Sequence, residues 1–163
     1  LDRDALERVL DLLELDERPD LALGLAPLAV SLRPRARALV RLIDRLVRAG
    51  AHDAARAIAR GVRVDQVDPL DAATLARALL SLGRAHAAHE ALRRTAPRDR
   101  VERAPERHEA WALVCEALHR TAAAREHYAH GAEGRVPSPA RDRCRTRLAA
   151  LAALDDGERA RAG

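Results

Sequence analysis

Seven histidines and two cysteines are the residues of this 163-residue chain whose types could do chemistry. His86 and His89 stand three apart, as do His127 and His130, with Glu90 and Glu126 close to them. On a helix an i, i+3 pair presents two imidazoles on one face, the geometry that metal ligation requires. No HExxH occurs, however, and no cysteine pair completes either half-site. The two pairs meet only if the fold brings them together, so solvated or locally hydrogen-bonded histidines are the expectation and no metal is assigned. Cys115 and His119, at i, i+4, would offer a thiol beside a base. Cys115 lies among apolar helical positions, where a thiol is packed rather than activated. Neither cysteine fits a CxxC spacing, which suits two reduced thiols in a cytoplasmic protein. With no Gly-rich phosphate loop and no GxSxG, neither an enzymatic activity nor a cofactor is expected.

The other abundant functional group is guanidinium. All 29 basic residues are Arg, and Phe, Lys, Asn and Met are absent. Phe, Lys and Asn use AT-rich codons, so this inventory points to a GC-rich bacterial genome and explains the Arg content without a nucleic-acid role. The net charge of +4 (29 basic against 25 acidic) is spread over segments such as "DRDALERVLDLLELDERPD" that alternate sign, the mark of a solvated, salt-bridged surface. Only Ala140 to Arg147, "ARDRCRTR", is locally basic. On a helix Arg141 and Arg145 share one face while Arg143 and Arg147 share another, so the four do not form one stripe.

The elements that must position these groups are helical. Leu75, Leu79 and Leu82 precede Gly83 at helical spacing, and Ala88, Ala91 and Leu92 follow it. Glycine takes the left-handed conformation that stops a helix, so this stretch reads as a helical hairpin. The pattern returns 33 residues upstream about Gly50, where Leu42, Leu46, Ala55 and Ala59 occupy the same offsets. A further step of 33 reaches Glu17, with Val9, Leu13, Ala22 and Ala26 in register and Pro27 inside the second helix. Downstream an interval of 36 carries Gly83 to His119, with Trp111, Cys115, Ala124 and Tyr128 in register. The register places Trp111 and Tyr128 in the packing between helices. The longest nearly apolar run, Leu21 to Leu32, is 12 residues and broken by Gly24 and Pro27. It falls short of the roughly 20 residues that span a bilayer, so it reads as buried helix and no membrane role is expected.

This fourfold recurrence resembles the tetratricopeptide repeat (TPR), a helix-turn-helix of about 34 residues with a small residue followed four later by a large one in its second helix. Ala22 with Ala26, Ala55 with Ala59, Ala88 with Leu92 and Ala124 with Tyr128 carry the resemblance, and Pro34, Pro69 and Pro97 fall near repeat ends. It implies an all-α, right-handed α-solenoid over residues 1–154, with hairpins at about 2–33, 35–66, 70–96 and 106–133. After the last hairpin Ser138 can cap a helix with Pro139 in its first turn, Gly131 and Gly134 having ended the one before. A capping helix over 138–154 and a flexible tail over 155–163 are expected. The stretch "GRVPSPARDRCRTRLAAL", with the hairpin "LARALLSLGRAHAAHEALRR", is also similar to the bacterial transcriptional activator domain found beside a winged helix in actinobacterial regulators. That likeness implies a regulatory module working through protein contacts. Residues 1–35 show no strand alternation and no recognition-helix pattern, so direct nucleic-acid binding is not expected.

In such a stack the first helix of each hairpin lines a concave groove that holds a peptide or a helix of another protein. The resemblance then selects Arg37, Val40, Asp44 and Arg48 in the second hairpin, Ala73, Arg77 and Leu80 in the third, and Glu109, Leu113 and Glu116 in the fourth. Arg48 and Arg77 could fork onto a carboxylate. The Lys and Asn clamp of chaperone-tail TPRs has no counterpart, because the chain contains neither residue type. The expected role is a cytoplasmic, non-catalytic adaptor for a protein or peptide partner, and a homo-oligomer is compatible with it.

Overall fold

The computed structural model of the chain describes residues 2–12, 19–95, 104–134 and 137–162, which are all-helical, without a strand. The chain divides into two compact units, Leu1–Ala96 and Pro97–Gly163. In the N-terminal unit α1 (Arg3–Leu12), α2 (Pro19–Leu32), α3 (Ala36–Arg48) and α4 (His52–Ala59) lead through a 3-10 turn at Val64–Gln66 to α5 (Pro69–Ser81) and α6 (Ala85–Arg94). Glu17 and Leu13 of the first hairpin, and Pro97, lie outside the described residues. The two helices of each hairpin pack on one another, and the first helices also pack in succession, α1 on α3 and α3 on α5.

The sequence dictates these helices in plain ways. On α3, Leu39, Leu42, Ile43 and Leu46 are buried while Arg37, Arg41, Arg45 and Arg48 take the other side, a wide apolar stripe facing the core. Arg45 and Arg48 in its last turn also complement the helix dipole. At the start of α5, Pro69 suits the first turn, and the Asp68 carboxylate accepts the Leu70 N–H at 2.9 Å. The repeat positions Leu42, Leu46, Leu75 and Leu79 are all buried, each contributing roughly 1.5–3 kcal/mol by leaving water. Ala55 and Ala88 opposite them are fully buried, and their small side chains let the paired helices approach.

The hairpin turns repeat to the level of single hydrogen bonds. Gly50 (φ 74°), Gly83 (φ 73°) and His119 (φ 57°) are left-handed. In each turn the left-handed residue donates its N–H three residues back, Gly50 to Val47, Gly83 to Leu80 and His119 to Glu116. The next residue donates five back, Ala51 to Leu46, Arg84 to Leu79 and Arg120 to Cys115, each at 2.8 Å. This pair of bonds closes a helix end and satisfies its last carbonyls. A Cβ added at Gly83 would meet nothing within 4 Å. Gly83→Ala should therefore lower stability by about 1–2 kcal/mol through backbone strain alone, and His119→Gly should raise it by up to about 1 kcal/mol. Urea unfolding reads both, and shifts of the same sign would remove the left-handed residue as the limiting feature of these turns.

In the C-terminal unit α7 (Pro105–Ala117) and α8 (Thr121–Ala132) form a hairpin on which α9 (Pro139–Ala162) packs. Arg141 N–H donates to Ser138 Oγ at 3.2 Å, the expected cap. Ala112, Cys115, Ala124, Tyr128, Cys144 and Leu151 make the core.

Several expectations need correction. Backbone helix runs to Ala162, past the residue 154 at which the capping helix was to end. Gly131 does not stop a helix: it lies within α8, buried, and a Cβ there would meet Cys144 Sγ at 2.6 Å. Its missing side chain makes the room that Cys144 of α9 occupies. The run Leu21 to Leu32 is helical but buried on one side only, with Leu23 52 % and Val30 49 % exposed. Trp111 is half-buried rather than buried, its ring stacked on His127 at 5.6 Å between centroids. A large ring with a polar N–H is seldom fully enclosed.

Candidate partner groove

Glu109, Leu113 and Glu116 fall at i, i+4 and i+7 on α7 and line one open groove of about 560 Å3 within the C-terminal unit. Its opposite wall is α9, through Asp142, Arg143, Thr146, Arg147 and Ala150, and the Tyr128 side chain from α8 completes the lining. Packing of α9 on the hairpin brings two carboxylates against two guanidinium groups. Arg143 forks onto Glu109, with Nη2 donating to Oε2 at 2.8 Å and Nε donating to Oε1. The Glu109 side chain is only 7 % exposed, whereas that of Arg143 is 56 % exposed. A bidentate, charge-assisted pair of this kind fixes both partners in orientation.

One turn pair further along, Glu116 binds two other helices. Its Oε2 accepts the Tyr128 hydroxyl at 2.9 Å, and its Oε1 accepts Arg147 Nε at 3.0 Å. Burial, and then the neighbouring Glu116 carboxylate, push the Tyr128 phenol well above its usual pKa, so it stays a donor. Behind the groove wall the Cys144 thiol is pushed up to about 11 by burial first and then by the field of Glu109. Burial also raises Cys115, against the pull of Arg120. Both thiols are free and buried, and the upward shifts favour their protonated form; the backbone of His119 forms the turn.

The remaining candidates belong to the N-terminal unit. Val40 is fully buried, so it is a core residue and not a groove contact. The α3 helix is packed by α1, α2, α4 and α5, and a β-branched side chain facing that many neighbours is enclosed. Ala73 is likewise buried. Asp44 pairs with Arg48 at 2.9 Å one turn along the same helix. Arg77 and Leu80 are half-buried on α5. Arg37 is exposed and lines a recess of about 340 Å3 with Glu7, Arg35, Ala38 and Arg41. Burial would raise the Glu7 carboxyl, but the Arg35 N–H at 2.7 Å, with Arg3 and the Arg35 guanidinium, outweighs it and holds the pKa below its usual value. Glu7 thereby ties α1 to the entry of α3.

Glu109, Leu113 and Glu116, selected from the sequence, line this groove together, whereas Arg143 and Arg147 of the facing wall were not selected. The signal was present as Arg143 and Arg147 at i, i+4, but what gives that face its role is the pair of carboxylates opposite, which only tertiary packing supplies. A second cluster escaped for the same reason. The α8 pair His127 and His130 meets His108 of α7, with ring centroids 5.8 Å and 5.4 Å apart. Burial lowers the His127 pKa, Glu126 opposing and His130 reinforcing, so the neutral imidazole is favoured there. Among the described residues no group of three or more His, Cys, Asp and Glu side chains is arranged to hold a metal ion. Among them, too, no helix is long and apolar enough to cross a membrane.

Over the described residues the fold is all-helical, and three of its hairpins close with like turns. No family model, curated protein or solved structure matches the chain.

Proposed function

We propose that the chain is a cytoplasmic, non-catalytic interaction scaffold, a right-handed TPR-like stack of hairpins that holds a peptide or a helix of another protein against its first helices. The groove between α7 and α9 carries this reading. Leu113, Ala150 and the Tyr128 ring give it an apolar middle, which supplies non-directional attraction. The two Glu–Arg pairs along its rim supply donors and acceptors already fixed in place. Arg143 and Arg147 remain 56 % and 50 % exposed, so each can meet a partner while losing little side-chain freedom. The succession of first helices, α1 on α3 on α5, supports the same stacked arrangement in the N-terminal unit.

The test starts from a partner captured from native cytosol, identified and reconstituted with purified chain. Leu113 is half-buried in the groove lining, and Leu113→Glu, with folding checked by circular dichroism, places a charge in the apolar middle. Affinity should fall by about 10–100-fold, the range of a hot-spot loss. Arg48→Ala with Arg77→Ala in the same assay reads the first-helix face of the N-terminal unit. Undiminished binding by the Leu113 variant would remove the α7–α9 groove as the site.

A further inference from the structure

Large apolar side chains left in water on the described residues are concentrated on one element. Of the five, Leu23, Leu28 and Val30 are on α2, with Leu70 and Leu154 elsewhere. Ala22, Ala26 and Ala29 bury the inner side of α2, yet the helix carries no charge from Leu21 to Leu32, so its outer side is apolar as well. A helix that is hydrophobic all round is normally covered on all sides. Beside Val30 lies a small groove of about 230 Å3, floored by Ala29, Leu39 and Ile58 and flanked by Arg33 and Arg60.

The charges identify what covers it. Asp20 stands in the first turn of α2, and Arg33 directly follows its last residue. Leu23 and Val30 are equidistant from a point between Ala26 and Pro27, one residue past the centre of α2, and so are Asp20 and Arg33. A two-fold axis through that point sets α2 antiparallel to a copy of itself. It brings each Leu23 to the groove beside the other copy's Val30 and each Asp20 toward the basic flank of that groove. Along α2 itself no like charges face one another across the pair, because none lies between its ends. Gly24, whose added Cβ would meet nothing within 4 Å, leaves room on the outer side for close approach.

We propose that α2 is the two-fold contact of a homodimer, Leu23 of each copy seated in the other's α2–α4 groove and Asp20 of each facing the other's Arg33. The contact is isologous, the form that closes at two copies. It is separate from the partner groove of the C-terminal unit, and either can stand without the other.

Sedimentation velocity on the full chain, from about 1 to 100 µM, tests it. A reversible monomer–dimer equilibrium is expected. Leu23→Asp, at an exposed position and with folding checked by circular dichroism, should weaken the dimer by about 30-fold or more. Asp20→Arg and Arg33→Asp should each weaken it about tenfold alone, while a mixture of the two variants regains full-strength association as a heterodimer. A monomer throughout the range would overturn the proposal, even where a foreign protein binds α2. So would a dimer indifferent to Leu23→Asp, or a mixture that fails to recover.

Discussion

Tyr128→Ala should destabilise the C-terminal unit by about 3–5 kcal/mol, the cost of deleting a large aromatic side chain from a packed core. Tyr128 heads the largest fully buried side chains of the described residues and packs among Ala124, Cys115 and Cys144. The loss is comparable with the whole stability of a small domain, roughly 5–15 kcal/mol, so partial unfolding at ambient temperature is the expected phenotype. Tyr128→Phe separates the ring from its hydroxyl. It keeps the packing and removes only the bond to Glu116, which retains Arg147, so about 1 kcal/mol is expected. Trp111 is the sole tryptophan of the chain and lies in this unit, so its fluorescence follows the unit's urea unfolding. An unchanged midpoint for Tyr128→Ala would contradict the core placement.

The second large effect comes from adding a methyl group. Gly131→Ala places a Cβ 2.6 Å from Cys144 Sγ, 3.2 Å from His108 Cβ and 3.3 Å from Cys144 Cβ. Real side chains do not approach so closely, so α8 and α9 must part or Cys144 must move inside a core where it has no exposed surface. Overpacking of this kind costs about 1–3 kcal/mol. Cys144→Ala removes the nearest atom, so the double variant should recover part of that loss relative to the sum of the singles. A strictly additive pair, measured by the same unfolding, would show that the two side chains do not compete for space.

The hairpins were legible because their two signals are local. A left-handed residue marks each of the three described hairpin turns, and Gly50 and Gly83 announce theirs openly, while His119 is found only through the register. Apolar spacing then places Leu42, Leu46, Leu75 and Leu79, all buried as the period requires. Where the register was asked for more than spacing, it failed in informative ways. Val40 shares a helix with Arg37 and Asp44, but neighbouring helices cover it. Trp111 occupies the position of Leu42 and Leu75 and is too large to be enclosed there, so its ring stacks on an imidazole instead. Gly131 reads as a breaker because sequence shows its missing side chain and not the cysteine that fills the space. Counting along α7 puts Glu109, Leu113 and Glu116 on one face. The basic half of the groove needed α9 laid against it, information that no spacing within one helix contains.

Glu116 has one further consequence. The carboxylate comes from α7, its phenol from α8 and its guanidinium from α9, so a single side chain is common property of three helices. Departure of α9 takes the Arg147 guanidinium from a half-buried carboxylate and opens the apolar floor of Leu113 and Ala150 to water, so fraying of that helix is opposed on both counts. Loss of α9 is thus bound to loss of the hairpin beneath it, and the C-terminal unit opens as one cooperative block rather than by unzipping from its terminus. A helix that arrives last in the chain therefore behaves as a keystone: the piece whose removal lets the others fall.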